Sequence, residues 1–141
     1  MRVVLDTNVL VAALLWRGLP SELLRKTRDG SITVFTSRPL LAELTDVLGR
    51  PKFTRRLAAR GVSVDELVDS FVEAAIVVTP RSTVRIVSDP DDDVVIGTAL
   101  AARAEMIVTG DRALLEVARY AEVKVATVAA AMRALAPHES S

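Results

Sequence analysis

Six aspartates and a glutamate carry whatever chemistry this chain performs. Asp6 stands in Asp6-Thr7-Asn8, Glu43 in Leu40-Leu41-Ala42-Glu43-Leu44, and Asp111 in Thr109-Gly110-Asp111. The densest signal is Ser88-Asp89-Pro90-Asp91-Asp92-Asp93, four carboxylates in five residues directly before a helical run. One or two acids in a first helical turn need no further reason, since each gains up to about 1 kcal/mol from the helix dipole. Four crowded together repel one another, and a cation relieves that repulsion best. Asp89-Pro90 reads as the turn and cap, which leaves Asp92 and Asp93 to point back over a sheet. Oxygen donors without a cysteine or histidine among them suit a hard divalent ion, Mg²⁺ or Mn²⁺. Such an ion activates water and stabilises charge building at phosphorus. Metal-dependent hydrolysis of a phosphodiester is the reaction these residues point to.

The elements must bring the acids to one place. Val3 to Leu5 reads as a strand buried on both faces, as in a parallel sheet. Helical spacing resumes at Val9, Leu10, Ala13 and Leu14, so Asp6 lies where a strand meets a helix. A plain helix cap is the alternative for Asp6. Ile32 to Phe35 is a second strand, after a short helix from Glu22 to about Arg28 that Ser21 is placed to cap. Ser37 is placed to cap the next helix, with Pro39 in its first turn and Leu40, Leu41, Leu44, Val47 and Leu48 as its apolar stripe. Glu43 falls near the border of that stripe, as an acid aimed at a site or as a half-exposed glutamate with a packed stem. Ser63 and Glu66 form a capping-box pattern for a helix through about Ala74. Ile76 to Val78, Met106 to Val108 and Val123 to Ala126 are further strand candidates. Arg81 to Ser88 reads as a connector. Helices are expected over Val94 to Ala104, Ala113 to Tyr120 and Thr127 to Leu135.

This alternation predicts one α/β domain over residues 1–135, with a mostly parallel sheet of four to five strands flanked by helices, and a polar tail at 136–141. In such a sheet the C-terminal strand ends share one edge, where open α/β sheets bind their ligands. Asp6, Glu43, Asp92 or Asp93, and Asp111 would then converge on one acidic pocket.

Composition narrows the alternatives. The 141 residues, half of them hydrophobic, suit one core. Eighteen basic and eighteen acidic residues give zero net charge, which argues against bulk electrostatic binding of nucleic acid but not against a local basic patch. No apolar run approaches the roughly 20 residues of a membrane span, and no basic-apolar-small leader opens the chain, so a soluble cytoplasmic protein is expected. The absence of cysteine excludes disulfides and thiolate metal sites. The single histidine, His138, lies in the tail, so histidine-based triads are excluded. Arg50, Lys52, Arg55, Arg56 and Arg60 fall within eleven positions. They form either a solvated helix face or a phosphate-contacting arm.

The four acidic stations in this order resemble the PIN-domain ribonucleases, most closely the VapC-type toxins of toxin–antitoxin systems. The likeness runs roughly from Val3 to Met132. It implies a Mg²⁺- or Mn²⁺-dependent endoribonuclease cutting single-stranded or looped RNA, with Asp6, Glu43 and Asp92 holding the metal and Asp93 as the other choice at the third station. Asp111 would complete the site directly or through water, while Asn8 and Thr109 orient water or neighbouring carboxylates. Arg50, Lys52, Arg55 and Arg56 would be the RNA contacts. The resemblance also implies a homodimer and a small antitoxin partner, with Leu14-Leu15-Trp16 and the Lys52 to Arg60 helix as candidate surfaces.

Two other readings compete. A PIN-like module could bind a cation or RNA without catalysis, but loss of catalysis usually leaves gaps among the four stations. Phosphoryl-transfer proteins of the haloacid-dehalogenase or receiver type also place an aspartate after the first strand. The former want a second aspartate where Asn8 stands, and the latter a lysine that Thr109-Gly110-Asp111 lacks.

Overall fold

The computed structural model describes residues 1–82 and 90–136, with the backbone alone at Pro90 and Asp91. The first strand, β1 (Arg2–Leu5), runs into α1 (Thr7–Leu15), and α2 (Leu19–Arg25) leads to β2 (Thr33–Thr36). Then come α3 (Arg38–Leu48), a 3-10 turn (Pro51–Phe53), α4 (Thr54–Arg60), α5 (Val64–Ala74) and β3 (Ala75–Val77). The second half holds α6 (Pro90–Ala102), β4 (Met106–Val108), α7 (Arg112–Val117), β5 (Arg119–Tyr120), β6 (Val123–Ala126) and α8 (Val128–Leu135).

One six-stranded sheet has the order β3-β2-β1-β4-β6-β5. Every pair is parallel except β5 with β6. Central β1 sets the register, with Val3, Val4 and Leu5 beside Met106, Ile107 and Val108. Because successive side chains alternate faces, Val3, Leu5, Val34, Met106 and Val108 share one face, in a core that α1, α2, α3, α5 and α8 also fill. Val4, Phe35, Ile107 and Val125 lie on the other with Val95, Ile96 and Ala99 of α6. No helix of the described residues is long and apolar enough to cross a membrane.

Several sequence expectations need correction. The sheet has six strands, not four to five, because the helix expected to reach Tyr120 ends at Val117 and the chain turns back as β5. Ala118 and Ala121 make that reversal at φ 62° and 51°, a region alanine rarely enters and local sequence does not announce. The expected Ser21 cap is inside α2, whose start is set by Gly18 (φ 140°) and by Pro20 in the first turn. The strand expected at Ile76 to Val78 begins one residue earlier, and the basic helix splits into the 3-10 turn and α4. The helix expected from Val94 begins at Pro90. Proline tolerates the first helical position, where its missing N–H costs nothing. That start puts Asp91, Asp92 and Asp93 in the first turn instead of a preceding loop. The Ser63–Glu66 capping box is present in both halves. The expected cap at Asp89, most of the 81–88 connector and the tail from Pro137 lie outside the described residues.

One close approach fixes the second layer. The Arg81 N–H donates to the Gly97 carbonyl at 3.0 Å. A Cβ on Gly97 would run into the Arg81 carbonyl oxygen, so α6 can lie beneath this segment only with glycine there.

Candidate active site

Strands β1, β2 and β4 end on the same sheet edge, and each ends in polar residues. The pairing of β1 with β4 continues one step past both strands, as the Asp6 N–H donates to the Val108 carbonyl at 2.9 Å. Asp6 and Thr109 therefore leave the sheet side by side. Thr109 Oγ1 donates to Asp6 Oδ2 at 2.6 Å, and the Thr7 N–H donates to Asp6 Oδ1 at 2.8 Å. Thr109 Oγ1 also accepts the Asp111 N–H at 3.0 Å. Asp6 is 7% exposed and Thr109 fully buried, so a carboxylate is held rigidly where a charge is otherwise costly to keep. Asp6 does occupy the N-cap position of α1, with its second oxygen tied across the sheet to Thr109.

Asp111 comes from the same strand end, two residues past Thr109. Its Oδ1 caps α7, accepting from the Ala113 N–H at 2.8 Å and the Leu114 N–H at 3.3 Å. That bond anchors one oxygen and leaves Oδ2 without a hydrogen bond among the described residues.

The third station sits in the first turn of α6, which packs across β1, β2 and β4. Asp92 is 6% exposed and Asp93 half-buried. Glu43 is half-buried on α3, which packs against both α1 and α6. Asn8 is exposed at the second position of α1. A further pair went unnoticed in the sequence. Ser37, directly after β2, and Thr98 of α6 join hydroxyls at 2.9 Å, both fully buried. In the sequence Ser37 reads as a helix cap, and its pairing with Thr98 has no local signal.

The structure thus links Asp6, Thr109 and Asp111 at one sheet edge, with Asp92 and Asp93 on α6 and Glu43 on α3. Among the described residues, no three or more acidic side chains are grouped to hold an ion as they stand. The donor set is nevertheless oxygen-only, with two nearly buried carboxylates, and such donors fit Mg²⁺ or Mn²⁺ in kind.

The basic residues sit elsewhere. Arg50 is exposed and pairs with Asp46 at 3.6 Å, and Lys52 rests over the Phe53 ring at 5.1 Å. Arg55 is exposed. Arg56 Nε donates to the Leu15 carbonyl at 2.6 Å, and Arg60 donates to the Leu14 carbonyl at 2.7 Å. These two arginines satisfy the open carbonyls ending α1 and complement its negative end. They also line a groove of about 540 Å³, together with Arg17, Arg25, Arg28, Leu67 and Phe71. Among the described residues, none of these five arginines forms an ion pair.

Comparison with known proteins fits this geometry. The sequence matches the family described as PIN domain over residues 2–113. No curated protein sequence matches the chain. Among solved structures, VapBC2 from Rickettsia felis bound to a DNA fragment from the promoter is similar, with a TM-score of 0.61. Identity is 17%, and the alignment covers 90% of this chain and 98% of the other, a likeness of fold.

Proposed function

The chain belongs to the PIN-domain family, and from that membership we infer that it is a metal-dependent endoribonuclease acting on single-stranded or looped RNA. The observation that carries this reading is the buried Asp6 carboxylate, fixed through both oxygens at the strand edge shared with Thr109 and Asp111. Asp6, Glu43 and Asp92 would hold Mg²⁺ or Mn²⁺, with Asp93 as the alternative third ligand and Asp111 completing the site directly or through water. The ion, when bound, supplies an activated water and a counter-charge for the phosphate.

The chain's own residues do the positioning. Thr109 and the Thr7 N–H hold both oxygens of Asp6, which prevents the carboxylate from rotating away from a ligand geometry. Asp111 is held by its capping bonds, so its other oxygen is presented by a fixed helix end. Asn8 is exposed beside Asp6 and would contact the scissile strand or a water. Arg50, Lys52 and Arg55 would meet RNA phosphates beyond the site, while Arg56 serves mainly to hold the end of α1.

The same reading makes the protein the toxin of a type II pair, working in the cytoplasm. The fold likeness to VapBC2 from Rickettsia felis supports that pairing. The five-arginine groove, which has no acid among its lining residues, suits an acidic segment of a small antitoxin. Exposed Ile76 and Val77 on edge strand β3, with exposed Val72 near the end of α5, are the candidate surface for a homodimer.

Incubation of a pool of structured and single-stranded RNA with Mn²⁺ or Mg²⁺, and with chelator, tests the activity. Asp6→Asn keeps the side chain's shape and removes its charge. Cutting that needs the ion and disappears in Asp6→Asn is expected. Cation binding without cutting would favour the non-catalytic module, and cutting that survives Asp6→Asn would overturn the site assignment.

A further inference from the structure

Ser37 stands at the N-cap position of α3, yet its side chain caps nothing. A serine there ordinarily accepts a backbone N–H of the first turn, worth about 1 kcal/mol. Its hydroxyl is instead 2.9 Å from Thr98 Oγ1. Thr98 Oγ1 also donates to the Val94 carbonyl at 2.8 Å. A threonine hydroxyl has one proton, and that bond uses it. Ser37 is therefore the donor, and the pair forms a one-way relay from the end of β2 to a carbonyl of α6.

The two ends of this relay carry acids from different stations. Ser37 opens the helix that bears Glu43, and Thr98 lies on the helix whose first turn bears Asp92 and Asp93. The core between these elements is apolar, with Phe35, Leu40, Val95 and Ala99 in one cluster. Apolar packing is non-directional, so it permits small rotations and slides of α6 about its axis. A buried hydroxyl pair does not, because each partner left unmatched costs about 1–3 kcal/mol. Asp92 lies about 9 Å along the axis from Thr98 at 1.5 Å per residue, near enough for a turn of the helix at Thr98 to displace its carboxylate.

We propose that Ser37 and Thr98 form a clasp that sets the rotation of α6 against α3, so that Asp92 or Asp93 and Glu43 bind one divalent cation together. Both are positioning residues, remote from the reacting atoms, and the proposal rests on the metal-dependent reading above.

The test is titration of Mn²⁺ into the full chain by calorimetry, alongside thermal melts without metal. Thr98→Val is nearly isosteric and removes the relay, Ser37→Ala removes its donor, and Thr98→Ser keeps the hydroxyl. We expect Thr98→Val and Ser37→Ala each to weaken Mn²⁺ about 10-fold, the scale seen when groups orienting metal ligands are lost. The double variant should be no weaker than either alone, since both remove one interaction. Thr98→Ser should stay within about 2-fold of the parent. Should Thr98→Val fail to fold, Ser37→Ala carries the test. Lowered melting temperatures with unchanged Mn²⁺ affinity would make the pair merely structural and overturn the clasp alone. Absence of Mn²⁺ binding by the parent would overturn the metal reading and the clasp with it.

Discussion

Asp6 concentrates the argument at the scale of single residues. A buried carboxylate that accepts from a hydroxyl and a backbone N–H is fixed in both oxygens, and fixing is what a ligand needs. Thr109→Val deletes the 2.6 Å bond and also the acceptor for the Asp111 N–H. We expect it to lower metal-dependent RNA cleavage by about 10–100-fold while Thr109→Ser stays near the parent, measured as initial rates on one labelled RNA. Equal loss in both variants would point to packing of the methyl group instead of the hydroxyl. Asp6 and Thr109 could be read from the sequence because each directly follows an apolar strand run, and Asp111 because it stands two residues beyond Thr109. The partner of each could not, since Thr109 meets Asp6 across strands far apart in the chain.

Helix starts decide what the acids can reach. The sequence marks α5 fully, because a capping box is local: the Glu66 N–H donates to Ser63 Oγ at 3.1 Å and the Ser63 N–H to Glu66 Oε1 at 3.2 Å. Ser63→Ala should cost about 1 kcal/mol in denaturant unfolding and leave cleavage unchanged. Sequence spacing puts the start of α6 too late, because Asp89-Pro90 reads as a turn while the proline opens the helix. The seat of that helix also depends on a contact that sequence spacing does not reveal. Gly97 lies under the Arg81 carbonyl, so Gly97→Ala forces α6 or the covering segment to move. A loss of about 1–3 kcal/mol is expected from overpacking, read from the denaturation midpoint. Unchanged stability would mean that the covering segment shifts freely. Helix α7 illustrates the opposite failure: its stop relies on Ala118 at positive φ, offset by pairing of β5 with β6.

For the molecule as a whole, alternation of elements made a parallel α/β sheet legible, and the acids' position after strands made their common edge legible. Strand order was not, since β4 lies beside β1 through long-range pairing. Zero net charge also concealed a division of labour. Asp6 and Asp111 follow neighbouring strands at one sheet edge, whereas five arginines line a groove formed by the helices on one face. Arg25→Glu with Arg28→Glu should therefore weaken capture of an acidic partner segment at least about 10-fold, and leave RNA cleavage by the free chain within about 2-fold. Fluorescence anisotropy with a labelled acidic peptide, followed over a salt series, reads the first effect. Affinity unmoved by charge reversal would remove the groove as the partner site.

The central claim is that Asp6, Glu43, the first turn of α6 and Asp111 serve one cation. Mn²⁺ is paramagnetic, so substoichiometric titration into the ¹⁵N-labelled chain broadens the amide signals nearest the bound ion. The account predicts early loss of signals at Asp6 to Asn8, Glu43, Asp92 to Val94 and Thr109 to Asp111, with the Asp65 to Asp69 surface unaffected, and no such loss in Asp6→Asn. Broadening confined to exposed acids such as Asp65 and Glu66, or identical broadening in Asp6→Asn, would contradict it.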